Sequence, residues 1–229
     1  MTRTREGVKI LSMIEKISKA EHINNKAAAQ KAKSAGGEAV VSRQSRKRNA
    51  THVKIMHCAK KLFEEKGLGN VTIEEITEAA DVSRSTFFSH FASLEALSTE
   101  IAGVAIEEIL DAAKCGGKSG KEGVCALLYK LVDDTCPYPY LSAELLMNGI
   151  IKSRKHSPFY YFEAFVEKEL QNQGVSEDAF SIKEQSALIL GAFFGICFQK
   201  FLNGEKFDKP DEIKATIKKF IDNFMGGAK

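Results

Sequence analysis

From about residue 52 onward, apolar positions recur at three- and four-residue intervals almost to the end of the chain, and no convincing series of two-residue alternations appears. The first stretch, VKIMHCAKKLF, sets Ile55, Met56, Ala59, Leu62 and Phe63 on one helical stripe, and the glycines of KGLGN end it. Thr72 then opens TIEE, a capping box. Its hydroxyl can accept from the Glu75 amide while the Glu75 carboxylate reaches back, which predicts a helix over 73–80. After only Asp81 and Val82, Ser83 starts another helix, and Ser93 caps a longer one through about Ala113. The glycine-rich CGGKSGKEG interrupts the pattern. Beyond it, helices are expected near 124–135, 140–154, 158–172, 177–202 and 210–225, so the fold class is all-α.

The first fifty residues read differently. Residues 8–20 place Ile10, Leu11, Ile14 and Ile17 at helical spacing, which predicts a short amphipathic helix. The following residues to 50 hold too little apolar material for a core and end in Arg43, Arg46, Lys47 and Arg48. They are expected to form a partly disordered basic arm. Charge supports this division: residues 1–50 carry twelve Lys or Arg against four Glu, or +8, so the remainder of a +3 chain sums to −5.

Composition removes some alternatives. With 229 residues and 44% hydrophobic residues, the chain can bury a sizeable core. No uninterrupted apolar run approaches the roughly 18 residues of a membrane span, and the first thirty residues lack a signal peptide's apolar centre. A cytoplasmic protein with no membrane partner is expected. Five cysteines without CxxC spacing and five histidines without HxxxH or HExxH predict neither disulfides nor a metal site, and no cofactor is indicated.

A helix, a tight turn and a second short helix make a helix-turn-helix, whose second member enters the DNA major groove. In DVSRSTFFSHF, Ser83, Arg84, Ser85 and Thr86 suit phosphates and base edges, while Phe87 and Phe91 would anchor the helix to a core. Spacing alone leaves open a Ser-capped amphipathic helix that never meets DNA.

The residues also carry a family resemblance. IMHCAKKLFEEKGLGNVTIEEITEAADVSRSTFFSHFASLEAL, residues 55–97, resembles the DNA-binding domain of the tetracycline-repressor family, with IL-AA--LF---G followed by T---IA--AGVS-GTLY-HF-SKE-L. The resemblance implies DNA contacts from Thr72, Ser83, Arg84, Ser85, Thr86, Phe88 and His90, with Arg84 best suited to bidentate reading of guanine. Two departures remove backbone contacts: Phe88 replaces a tyrosine and Leu94 a lysine. Arg46, Lys47 and Arg48 are expected to supply cationic contacts in their place. Asp81 fills the turn's usual glycine position, which Asp tolerates through its access to the left-handed conformation.

The resemblance further implies three regions: the extension at 1–50, a helix-turn-helix domain at 51–98, and a helical effector-binding and dimerisation domain at 99–229. In the last, Ala187, Gly191 and Gly195 repeat every four residues and allow close helix approach. With Ile217, Phe220 and Phe224 of the final helix they form the expected homodimer interface. Aromatic-rich SPFYYFEAFVEKEL, with Ser157 as expected cap, supplies Phe162 and Phe165. With Leu131, Met147 and Ile151 these are candidates for a small-molecule effector cavity, although each also suits ordinary core.

The expected function is a homodimeric repressor released from a palindromic DNA operator by a small apolar or aromatic effector. A redox sensor using Cys115, Cys125 or Cys136 on the same scaffold is one alternative. A helical enzyme is another, but GGKSGK lacks a phosphate loop's first glycine, since Ala112 stands there, and it follows a helix rather than a strand.

Overall fold

The computed structural model describes residues 43–115, 117–152 and 158–226; side chains of 149–152 and 158 are outside the description. The regular structure among the described residues is helical, with no strand among them. In chain order they form α1 (Arg43–Lys66), a 3-10 turn (Leu68–Asn70), α2 (Ile73–Ala79), α3 (Arg84–His90), α4 (Leu94–Lys114) and α5 (Lys121–Thr135). Then follow α6 (Pro139–Lys152), α7 (Pro158–Gln173), α8 (Ile182–Asn203) and α9 (Pro210–Phe224). The expected helix over 8–20, the arm to residue 42, and the Ser157 cap lie outside the described residues.

Two compact units divide the chain, Met1–Thr51 and His52–Lys229. In the first, Arg43–Thr51 is helical, and Arg43 to Ala50 are exposed. The basic run is therefore helix rather than irregular arm, and the helix begins nine residues before its expected start. Arg, Gln, Lys and Ala are good helix formers, and a helix can continue past its apolar stripe when it need bury nothing there.

In the second unit, one hydrophobic cluster joins Ile55, Ala59 and Phe63 of α1, Ile76 of α2, Phe87 and Phe91, and Leu97 and Ile101 of α4. Leu141 of α6, 3% exposed, completes it. Two carboxylates fix that helix in place. Glu64 of α1 accepts from the amides of Tyr140 (3.2 Å) and Leu141 (2.8 Å), and Glu144 of α6 accepts from the Leu68 amide at 2.6 Å. Each satisfies amides at a helix start that has no intrahelical acceptor.

The larger cluster contains Ile109 and Ala113 of α4, Val124, Leu127, Leu128 and Leu131 of α5, Phe162, Phe165 and Val166 of α7, Ile189 and Phe193 of α8, and Ile213, Ile217 and Ile221 of α9. Thus α4 contributes to both cores, Leu97 and Ile101 to one and Ile109 and Ala113 to the other.

Two further helix starts differ from the periodicity. α5 begins at Lys121, three residues early, because Glu169 accepts from the Gly120 amide (2.8 Å) and Gln173 from the Lys121 amide (2.6 Å). The same side chains occupy the helix N-terminus beside GGKSGK, where a phosphate loop would bind its anion. α8 begins at Ser181–Ile182, later than expected, because Ser181 and Glu184 form a second capping box.

By length and composition α8 is apolar enough to cross a membrane, a property hidden from the uninterrupted-run criterion by its polar ends. In the folded chain Ser186, Ile189, Leu190, Phe193 and Cys197 line its buried face.

Candidate nucleic-acid interface

The helix-turn-helix is built by local bonds. Thr72 Oγ1 accepts from the Glu75 amide, and Glu75 Oε2 accepts from the Thr72 amide (2.8 Å) and hydroxyl (2.9 Å), so the capping box is complete. Hydrogen bonds from Lys66 and Thr72 hold the Glu75 carboxyl down at about 2. The Thr72 hydroxyl proton is therefore engaged within the cap and must change partner to meet a phosphate.

α2 ends in a Schellman motif: the Val82 amide donates to the Thr77 carbonyl and the Asp81 amide to that of Glu78, both at 3.0 Å. Asp81 takes the left-handed conformation this requires, with φ 49°. Ser83 then caps α3 by accepting from the Thr86 amide. The turn projects α3 away from α2, while Phe87 and Phe91, 0% and 2% exposed, secure its inner face.

The outer face carries the expected contact residues. Ser83, Arg84, Ser85 and Phe88 are exposed, and Thr86 and His90 are half-buried. Ser83 Oγ lies 2.8 Å from both Ser85 Oγ and Thr86 Oγ1, giving three hydroxyls at the helix start. Arg84 donates to Glu74 of α2 and lies 5.7 Å over the Phe88 ring. Leu94 does not present an alternative contact; it packs on the helix-turn-helix core.

Several partners on this face were not apparent in the sequence. Glu74 engages Arg84, and His52 with Glu100 engages His90. Separations of 10, 38 and 48 residues lie beyond any local motif. Arg46, Lys47 and Arg48 are exposed on the α1 segment of the first unit.

Other expected site residues separate. Ala187, Gly191 and Gly195 lie exposed on α8 beside Leu188, Phe198 and Leu202, making an apolar and small-residue stripe. Phe220 and Phe224 are half-buried and stacked at 5.3 Å. Ile217 is 1% exposed, packed with Ile213 and Ile221, so it belongs to the intrachain core rather than to that stripe. The strongly one-sided α9 turns its isoleucines inward. Of the cavity candidates, Leu131, Phe162 and Phe165 are core residues, Met147 is 53% exposed, and the Ile151 side chain lies outside the description. Met147 thus faces away from the grouping expected for it.

A capped helix, a left-handed turn and a second helix with a polar, cationic outer face define a helix-turn-helix DNA-binding regulator, a non-enzymatic class. Residues 55–101 match the model of bacterial regulatory proteins of the tetR family, a match that supports a transcriptional regulator of that family. It is 24% identical over 186 residues to the uncharacterized HTH-type transcriptional regulator YvdT of Bacillus subtilis (strain 168), covering 76% of this chain and 95% of YvdT. A transcriptional regulator from Aquifex aeolicus VF5 shares the fold with TM-score 0.57 and 21% identity, over 75% of this chain and 98% of that one. A gamma-butyrolactone receptor (ArpA-like protein) does so with TM-score 0.54 and 17% identity, over 75% and 98%.

Proposed function

We propose that the protein is a homodimeric, ligand-responsive repressor that acts in the cytoplasm on a palindromic operator. The observation that carries this reading is the outer face of α3: Ser83, Arg84 and Ser85 stand exposed beside the half-buried Thr86, on a helix whose other face is locked down by Phe87 and Phe91. Arg84 would read a guanine, the hydroxyls and His90 would meet phosphates, and Thr72 would join them by exchanging its cap partner. Arg46, Lys47 and Arg48 would add phosphate contacts. The assignment of 51–98 to DNA binding and 99–229 to control and pairing belongs to the same reading.

The α8 stripe supports pairing. Apolar and small residues exposed along a whole helix would be covered by the same stripe of a second copy, with Phe220 and Phe224 at its side. An effector would enter between α5, α6 and α7 near Phe162 and Phe165. Because those residues are packed, entry requires rearrangement, and α4 and α6 both reach the helix-turn-helix core to transmit it. The gamma-butyrolactone receptor of like fold supports a small-molecule input. An effector would act only through its different affinities for the DNA-bound and released arrangements.

The redox alternative has weaker support. Burial pushes the Cys125 and Cys136 thiols upward and Cys197 to about 12, whereas a sensing thiol needs to ionise readily. Cys115, the exposed thiol, keeps that alternative open to a peroxide assay.

Selection of DNA from a random pool tests the main reading. The expected product is a palindrome with half-site centres roughly 34 to 36 Å apart, or a multiple of that distance. Recovery of unrelated sequences would refute specific recognition by α3.

A further inference from the structure

α6 begins without a cap of its own. The residue before its first turn is Tyr138, whose carbonyl accepts from the Ser142 amide at 2.9 Å but whose side chain is not one of the short oxygen-bearing groups that close a helix start. Glu64 of α1 supplies the missing acceptors from 76 and 77 residues away. One carboxylate oxygen takes the Tyr140 amide at 3.2 Å and the other the Leu141 amide at 2.8 Å. The 3-10 turn after α1 has the same deficiency and the converse solution. Its cap residue, Gly67, has no side chain to offer, and the Leu68 amide donates to Glu144 of α6 at 2.6 Å. Gly67 holds φ 82°, and a β-carbon added there would stand 3.1 Å from the same carboxylate, so glycine leaves room for this close approach.

The same stretch of α6 touches two other parts of the fold. Leu141, 3% exposed, packs into the helix-turn-helix core with Tyr138 and Leu145 beside it, a row on one face of the helix. The Tyr140 ring lies 5.4 Å from that of Phe201 on α8, the helix that carries the exposed apolar stripe. A path therefore runs from α8 through the start of α6 to α1. An apolar row resists separation but specifies tilt weakly, whereas hydrogen bonds weaken steeply away from alignment. Three bonds, given by carboxylates on both sides of the junction, define the orientation that the row alone leaves loose.

We propose that Glu64 and Glu144 are positioning residues that fix the tilt of the helix-turn-helix on α6, and thereby the half-site spacing that the paired protein accepts. This rests on the reading of the protein as a homodimer that meets DNA through α3 and pairs through α8. In such a dimer the separation of the two recognition helices depends on how each helix-turn-helix is held to its own α8.

DNA makes the demand on that junction steep. One base pair inserted between half-sites moves them about 3.4 Å apart along the axis and turns one about 34–36° around it relative to the other. A junction held by directed bonds cannot follow such a change without breaking them. A junction held by the apolar row alone follows it at smaller cost.

The test uses a palindromic fragment selected from a random pool by the wild-type protein, and two derivatives with one base pair added or removed at its centre. Fluorescence anisotropy at one ionic strength compares the three for wild type, Glu64→Gln, Glu144→Ala and Glu144→Gln, with helical content and dimer fraction measured alongside. In Glu64→Gln an NH2 group replaces one acceptor, so one of the two amide bonds is lost. Glu144→Ala loses the Leu68 bond, whereas Glu144→Gln keeps an acceptor for it. Wild type should prefer its own spacing. Glu64→Gln and Glu144→Ala should each lose about tenfold of that preference, the lower end of what one hydrogen bond to a charged group contributes, since both carboxylates are only half-buried. Glu144→Gln should keep the wild-type preference. Equal weakening on all three fragments, or an unchanged preference in Glu64→Gln or Glu144→Ala, would overturn this inference alone. So would a wild type indifferent to spacing, or a loss in Glu144→Gln as large as in Glu144→Ala. If Glu144→Ala fails to fold, Glu64→Gln against wild type decides the matter. Absence of wild-type binding to any selected fragment, or selection of single half-sites, would overturn the reading of a DNA-binding dimer and this inference with it.

Discussion

Glu74 holds one nitrogen of the Arg84 guanidinium and would compete with a base for it, and this competition sets the size of two mutational effects. The pair is 64% and 60% exposed, so releasing it costs at most about 1 kcal/mol. A bidentate guanine contact discriminates by about 1–3 kcal/mol, so exchange favours DNA when the correct base is present. At a wrong base the arginine is better left with the carboxylate. Glu74 would thereby lower affinity for the best site without adding to selectivity. Glu74→Gln should tighten binding to the best site by up to about fivefold, with a smaller gain on mismatched sites, where the arginine stays with the carboxylate. Arg84→Ala should weaken the best site by up to about 30-fold, the base contact less the cost of release, and relax preference at one base pair in each half-site. Titrations against matched and single-mismatch fragments, completed by the double variant, isolate the coupling. Strictly additive effects would refute competition between Glu74 and the base. Equal weakening of every fragment by Arg84→Ala would make that arginine a phosphate contact.

Gly195→Leu places a bulky side chain on the exposed α8 stripe, where a β-carbon meets nothing within the chain; sedimentation should show fewer dimers with helical content retained. Unchanged association would place pairing elsewhere. Replacing Arg46, Lys47 and Arg48 together with Gln should reduce the salt slope of DNA binding by up to about 2.7 per protomer, at about 0.9 for each phosphate no longer neutralised, without altering the preferred sequence. An unaltered slope would exclude these residues from the phosphate backbone. Because the folded Glu75 carboxyl titrates at about 2, below its unfolded value, its stabilising effect is complete above the ordinary carboxylate range and fades as pH falls toward 2. The stability deficit of Glu75→Gln, measured by urea unfolding, should accordingly shrink from pH 7 to pH 2; a constant deficit would contradict the cap's role. Leu141→Ala empties a filled position in the helix-turn-helix core and should cost about 2–5 kcal/mol in the same assay, whereas a cost under about 1 kcal/mol would show that α6 is not integral to that core.

Local chemistry made the helix-turn-helix legible in the sequence. Thr72 and Glu75, Ser83 and Thr86, and Asp81 in its left-handed turn act within a few residues of one another, so their spacing specifies their geometry. The same type of signal at Ser181 and Glu184 marked the start of α8, although the apolar pattern suggested an earlier one. Periodicity identified the stripe on α9 but not what it faced: an inward isoleucine row and an outward one have the same spacing, and only packing put Ile217 in the core. Likewise, periodicity could not predict that α1 would extend back through its basic run, where there is no buried face. Glu64 capping α6, Glu74 holding Arg84, and Glu100 reaching His90 through His52 depend on elements brought together from distant parts of the chain. A carboxylate's partner across such distances is decided by how the helices pack. The helices and the polar, cationic character of the outer face of α3 therefore follow from short-range pattern along the chain, whereas the partners of that face's side chains follow from which helices meet.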